Sequence, residues 1–137
     1  MSITEIENEI IEEFELFGDD WESKYEHLIE LGKSLPKIDE RFKTDERIIK
    51  GCQSKVWLHS EKKQGEIIYT ADSDAIITKG MVALMVRVLS HQKPQDILSA
   101  NLDFINKIGL TEHLSPTRAN GLVSMIKQMK LDAMALS

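Results

Sequence analysis

The chain has 137 residues, a hydrophobic fraction of 42%, a charged fraction of 29% and a formal net charge of −6, the profile of one globular domain over 1–137 that buries a core unaided. Its single cysteine excludes an intrachain disulfide, a Cys-x-x-Cys redox pair and the cysteine-rich metal sites. No apolar run reaches the roughly 18 residues of a membrane span and no basic-then-apolar leader opens the chain, so the expected compartment is the reducing cytoplasm, with no membrane partner.

Residues 3–17 predict an amphipathic helix, with Ile3, Ile6, Ile10, Phe14 and Phe17 at helical spacing, Ser2 and Glu5 at capping-box spacing and Gly18 as a stop. Asp19 or Asp20 caps a second helix through Leu31 that faces inward with Trp21, Tyr25, Leu28 and Ile29. Residues 1–32 hold eleven acidic residues against one basic residue, Lys24, while the remaining 105 carry a balance of +4. That asymmetry reads either as a solvated helical face or as a surface that steers the protein to a basic partner. Nucleic acid is not an expected partner, because no basic stripe with interleaved aromatics occurs.

A polar connection, residues 33–50, leads to Gly51-Cys52. Two strands follow, Ser54–Ser60 and Glu66–Asp72, joined by the turn Glu61-Lys62-Lys63-Gln64-Gly65. Two strands alone are marginal, so a third short one is expected around Arg47–Lys50. A buried helix runs from Ala75 to about Ser90, where Gly80 points to close packing of a neighbour. Short helices are expected from Pro94 and over Leu102–Ile108, closed by Gly109. A last helix starts at Ser115-Pro116 and turns Leu122, Met125, Ile126, Met129 and Ala133 to one face. The fold class is α+β, a small antiparallel sheet with helices packed on it.

Cys52 is either a buried structural thiol or a reactive one. Gly51 permits a tight turn that presents the sulfur, and the strand behind it would hold that turn. Seven basic residues against four acidic ones between Lys33 and Lys55 give a positive field that favours thiolate. None of the four histidines, His27, His59, His91 and His113, is paired with Cys52 by spacing, so a Cys/His hydrolase has no support. Asp72-Ser73-Asp74 reads as an N-cap cluster for the helix that follows. Arg118, in the first turn of the last helix, opposes the helix dipole and is expected to meet a carboxylate or carbonyl, or solvent.

The run Gly51-Cys52-Gln53-Ser54-Lys55-Val56-Trp57 resembles the cysteine motif of the SufE family, sulfur acceptors of the Suf iron–sulfur assembly system. Three further blocks are similar to that family in the same order. They are Leu31-Gly32-Lys33-Ser34-Leu35-Pro36; Asp72-Ser73-Asp74-Ala75 with Lys79-Gly80; and Leu110 to Arg118 with Asn120-Gly121, where Ser115 stands in place of the commoner threonine.

The resemblance implies a SufE/IscU-like fold, with Cys52 taking sulfur as a persulfide from a SufS-like cysteine desulfurase and passing it to a SufBCD-like scaffold. IscU-type scaffolds hold a cluster on several cysteines, and this chain has one, so it would carry no cofactor; the pyridoxal phosphate would belong to the desulfurase. The resemblance makes Gly51, Gln53 and Ser54 loop-shaping candidates. It makes Asp74, Lys79, His113 and Arg118 candidates for supporting that loop or facing the desulfurase, and it leaves room for a homodimer. A non-covalent activator of the desulfurase is the alternative.

Overall fold

The computed structural model describes residues 1–137. Helix α1 (Ile3–Glu15) opens with the expected capping box, Ser2 and Glu5 each accepting from the other's backbone N–H. Helix α2 (Trp21–Lys33) is capped by Asp20, whose carboxylate accepts from the Ser23 N–H at 3.3 Å. His27 is half-buried against Phe14 and Phe17, with Nε2 3.2 Å from Glu13.

Helix α3 (Ile76–Leu89) runs through the centre, with Gly80 to Met85, Val88 and Leu89 all buried. Its neighbour is α2. A Cβ on Gly80 would lie 2.3 Å from the Leu28 carbonyl oxygen, and one on Gly32 would lie 3.0 Å from the Gly80 nitrogen. Two glycines therefore let two backbones approach more closely than side chains allow.

Strands β1 (Val56–Lys63) and β2 (Glu66–Ser73) form a two-stranded antiparallel sheet, from Val56 opposite Ser73 to Lys63 opposite Glu66. The connection is shorter than the five residues expected. Gln64 (φ 54°) and Gly65 (φ 82°) both take left-handed angles, the pattern of a two-residue turn whose twist matches the strands, so pairing extends through Glu61 and Lys63. The expected third strand at Arg47–Lys50 is reduced to one bridge, Ile48 opposite Trp57, with the Ile49 N–H donating to the Val56 carbonyl at 2.9 Å. The 3₁₀ turn Asp45–Arg47 on one side and Gly51 on the other leave no length for more.

The sheet's inner face, Val56, Leu58, Ile67, Tyr69 and Ala71, is buried under α3 and α7 (Pro116–Leu136). Tyr69 ties sheet to helix by donating its hydroxyl to the Met129 carbonyl at 2.6 Å. Two 3₁₀ turns, Glu40–Phe42 and Asp45–Arg47, cover part of the outer face, where Phe42 stacks on His59 at 3.6 Å and Lys43 lies over Trp57.

Between α3 and α7 come α4 (Pro94–Ser99), α5 (Phe104–Lys107) and α6 (Leu110–His113). Helix α5 is shorter than the expected Leu102–Ile108, because Leu102 takes φ 57° and Gly109 φ 80°, both outside helical space. The architecture is the α+β layout expected, helices on one face of a small antiparallel sheet. No helix is long and apolar enough to cross a membrane.

Candidate functional site

Cys52 lies on the loop between the Ile48 bridge and β1, and that loop is held by α7 on one side and by the end of β2 on the other. Gly51 turns it with φ 92°, and a Cβ there would come within 2.4 Å of the Ser124 hydroxyl of α7. Asp74, just past β2, accepts from the Lys55 N–H at 3.0 Å and pins the exit. On α7, Gly121 supplies a flat, side-chain-free surface: its carbonyl accepts from the Cys52 thiol at 3.4 Å, and a Cβ there would stand 3.5 Å from the sulfur.

The thiol is half-buried on this surface, and burial pushes its pKa up. The positive field expected from Lys33 to Lys55 does not offset this. Lys43 is committed to Asp72, Arg41 to Asp39 and Lys33 to Glu30, while Lys50 and Lys55 point to solvent. Charges spent on local partners or screened by water do little for a distant sulfur.

The sulfur faces a cleft of about 320 Å³, bordered by Gln53, Ser54, Thr78, Ser115 and Arg118. Arg118 is its one charged lining group and has no carboxylate within ion-pair distance. Ser115 caps α7 by accepting from the Arg118 N–H at 3.3 Å, so the N-terminus of a 21-residue helix opens beside the cleft. That combination suits an anionic sulfur species close to Cys52. No histidine lines the cleft. No group of three or more His, Cys, Asp or Glu side chains is placed to hold a metal ion.

Gly51, Gln53, Ser54 and Arg118 thus gather around Cys52, and Asp74 anchors the loop from outside the cleft. Asp74 and its neighbours do not cap α3, as the sequence led one to expect: Ala75 is the N-cap, without a side-chain bond. Ser73 accepts from the Ala75 N–H at 3.3 Å, and Asp72 turns outward to Lys43 at 3.0 Å and Lys79 at 3.3 Å. Two candidates stand away from the sulfur. Lys79 is held by Asp72, and His113 stacks on Trp21 at 3.8 Å while its carbonyl accepts from the Tyr25 hydroxyl at 2.6 Å. Sequence reasoning misses Gly121 and Ser124 as site residues, although the Asn120-Gly121 pair, with its helix-interior glycine, is an available signal.

The family model SufE, described as an Fe-S metabolism associated domain, matches residues 8–133. An uncharacterised SufE-like protein of Rhizobium meliloti is 41% identical over 131 residues, 92% of this chain and 93% of that protein. SufE-like protein 1, chloroplastic/mitochondrial, of Arabidopsis thaliana is 42% identical over 115 residues, 83% of this chain and 31% of that longer protein. The fold is shared with a hypothetical protein of Thermus thermophilus solved in solution, at a TM-score of 0.77 and 18% identity over 96% of this chain and 95% of that one.

Proposed function

The chain belongs to the SufE family of iron–sulfur metabolism, and from that premise we propose that Cys52 is a covalent sulfur acceptor for a SufS-like cysteine desulfurase. The Cys52 thiolate attacks the outer sulfur of the persulfide carried on the desulfurase cysteine. A new S–S bond forms at Cys52, the old one breaks, and the desulfurase cysteine leaves as thiolate. The product is Cys52-S-SH, and no net redox change occurs. A thiolate on a SufBCD-like iron–sulfur scaffold then takes the outer sulfur by the same exchange, returning Cys52 to thiolate.

The observation that carries this reading is the placement of the chain's one thiol on a glycine turn beside Arg118 and the α7 N-terminus, with no second cysteine to expel the sulfur as sulfide. At rest the thiol is tucked against Gly121 and its pKa is raised. Docking therefore has to lift the loop into the desulfurase before attack, and the same cover shields the loaded persulfide in transit. The remaining candidates take separate roles: Gly51, Gln53 and Ser54 shape the loop, Asp74 anchors it, and Arg118 faces the persulfide once the loaded loop has settled back on α7.

Turnover of L-cysteine by a cognate desulfurase, measured as alanine released, tests the reading with wild type and Cys52→Ser. Stimulation by wild type alone is expected. Full stimulation by Cys52→Ser would contradict sulfur acceptance and leave the non-covalent activator.

A further inference from the structure

The two edges of the sheet are finished differently. Along β2, residues 91–92 close the edge: the Ile67 N–H donates to the Gln92 carbonyl at 2.9 Å and its carbonyl accepts from His91 at 2.8 Å. Along β1, cover ends at the Ile48–Trp57 bridge, after which the 3₁₀ turn carries the chain away. Because the Val56 carbonyl faces outward to Ile49, alternation turns the N–H and C=O groups of Ser60 and Lys62 outward too. No protein group meets them.

The Ser60 end of that open edge forms the floor of a cleft of about 800 Å³, walled by residues 46–50 on one side and α7 on the other, and the Lys62 end runs out beyond it. Ile48, Leu131 and Leu136 supply apolar surface. Arg47, Lys50 and Lys127 supply charge, and none of the three forms an ion pair. Arg47 donates only to His59 at 3.3 Å and to the Thr44 hydroxyl at 3.5 Å. Of the two carboxylates, Asp132 is already occupied by Ser60 at 2.6 Å and Gln128 at 2.8 Å, and Glu46 sits exposed at the rim.

We propose that this cleft is a strand-docking groove for an extended acidic segment of a partner protein, which pairs with Ser60 and Lys62 as a third strand. Free backbone donors and acceptors on a strand edge call for another strand, and side-chain pockets on either side read its alternate residues. Side chains on the α7 side meet Leu131, Leu136 and the Lys127 ammonium, and those on the opposite side carry carboxylates to Arg47 and Lys50. The groove ends behind the cysteine loop, since Lys50 precedes Gly51 and Ser124 lies both in the groove wall and beneath that glycine. This surface is separate from the Cys52 cleft and does not depend on the sulfur-transfer reading.

The test is a selection of random peptides displayed against the full chain, followed by titration of the strongest synthetic winner into ¹⁵N-labelled protein. Winners that alternate apolar residues with Asp or Glu are expected. They should shift the Ser60 and Lys62 amides most and slow their exchange. Ser60→Pro, which removes an outward N–H, and the pair Lys50→Glu with Lys127→Glu should each weaken binding about tenfold or more. The charge-reversed protein decides the matter if the proline variant fails to fold. Selection without acidic enrichment, shifts confined to other surfaces, or affinity unchanged by charge reversal would overturn the proposal.

Discussion

The thiol proposed as the nucleophile is held in a setting that favours its protonated form, because burial against Gly121 takes it partly out of water. The glycine's bare backbone gives the sulfur a place to lie. Gly121→Leu should displace the loop and speed alkylation of native protein by a small thiol reagent; an unchanged rate would mean that α7 does not shield Cys52. The raised thiol pKa also has a stability consequence. The folded chain holds this proton more tightly than the unfolded chain, so the stabilisation is complete below the unfolded value and is lost as pH rises through the folded one. Urea unfolding above the ordinary thiol range should therefore show wild type losing stability that Cys52→Ala does not lose. At Gly51, alanine would combine a left-handed φ with the Ser124 contact and cost about 1–3 kcal/mol, partly recovered by Ser124→Gly. The sole cysteine and the glycine before it are legible in the sequence. The cover is not, because the thiol's hydrogen-bond partner lies 69 residues further along the chain.

Among the elements, the α2–α3 pair is the tightest joint. The Gly80 Cβ position overlaps a backbone carbonyl, which cannot rotate away as a side chain can, so Gly80→Ala should destabilise by about 1–3 kcal/mol. A thermal melt at wild-type temperature would show that the helices part freely. A glycine inside an otherwise apolar helix announces this contact in the sequence, though not that Leu28 is the neighbour. The hairpin shows the opposite case. Lys62, Lys63 and Gln64 look like loop residues by composition, yet the left-handed pair Gln64-Gly65 makes the turn and leaves the two lysines in the strand. Asp72 to Asp74 have the composition of a helix cap and serve instead to join β2 to Lys79 and, across the chain, to Lys43 and the cysteine loop, distant partners that local spacing does not reveal.

Across the whole molecule, the sheet, α3 and α7 act as one block on which the cysteine loop rests. Removing the Tyr69 hydroxyl, as in Tyr69→Phe, leaves the Met129 carbonyl short of a partner and should cost about 1–2 kcal/mol while leaving sulfur acceptance intact. A loss of acceptance without a loss of stability would mean that Tyr69 acts on the site itself. Element order and helix-on-sheet layering follow from hydrophobic periodicity, and the order of the four motifs points to the family. Which surfaces the finished fold leaves open does not follow from either. The central claim, that Cys52 carries sulfur covalently, is tested most directly by intact mass after incubation with a cysteine desulfurase and L-cysteine without reductant, beside Cys52→Ser. One added sulfur atom, removed by reductant and absent from the variant, is the predicted result. No added mass while desulfurase turnover is stimulated would contradict it.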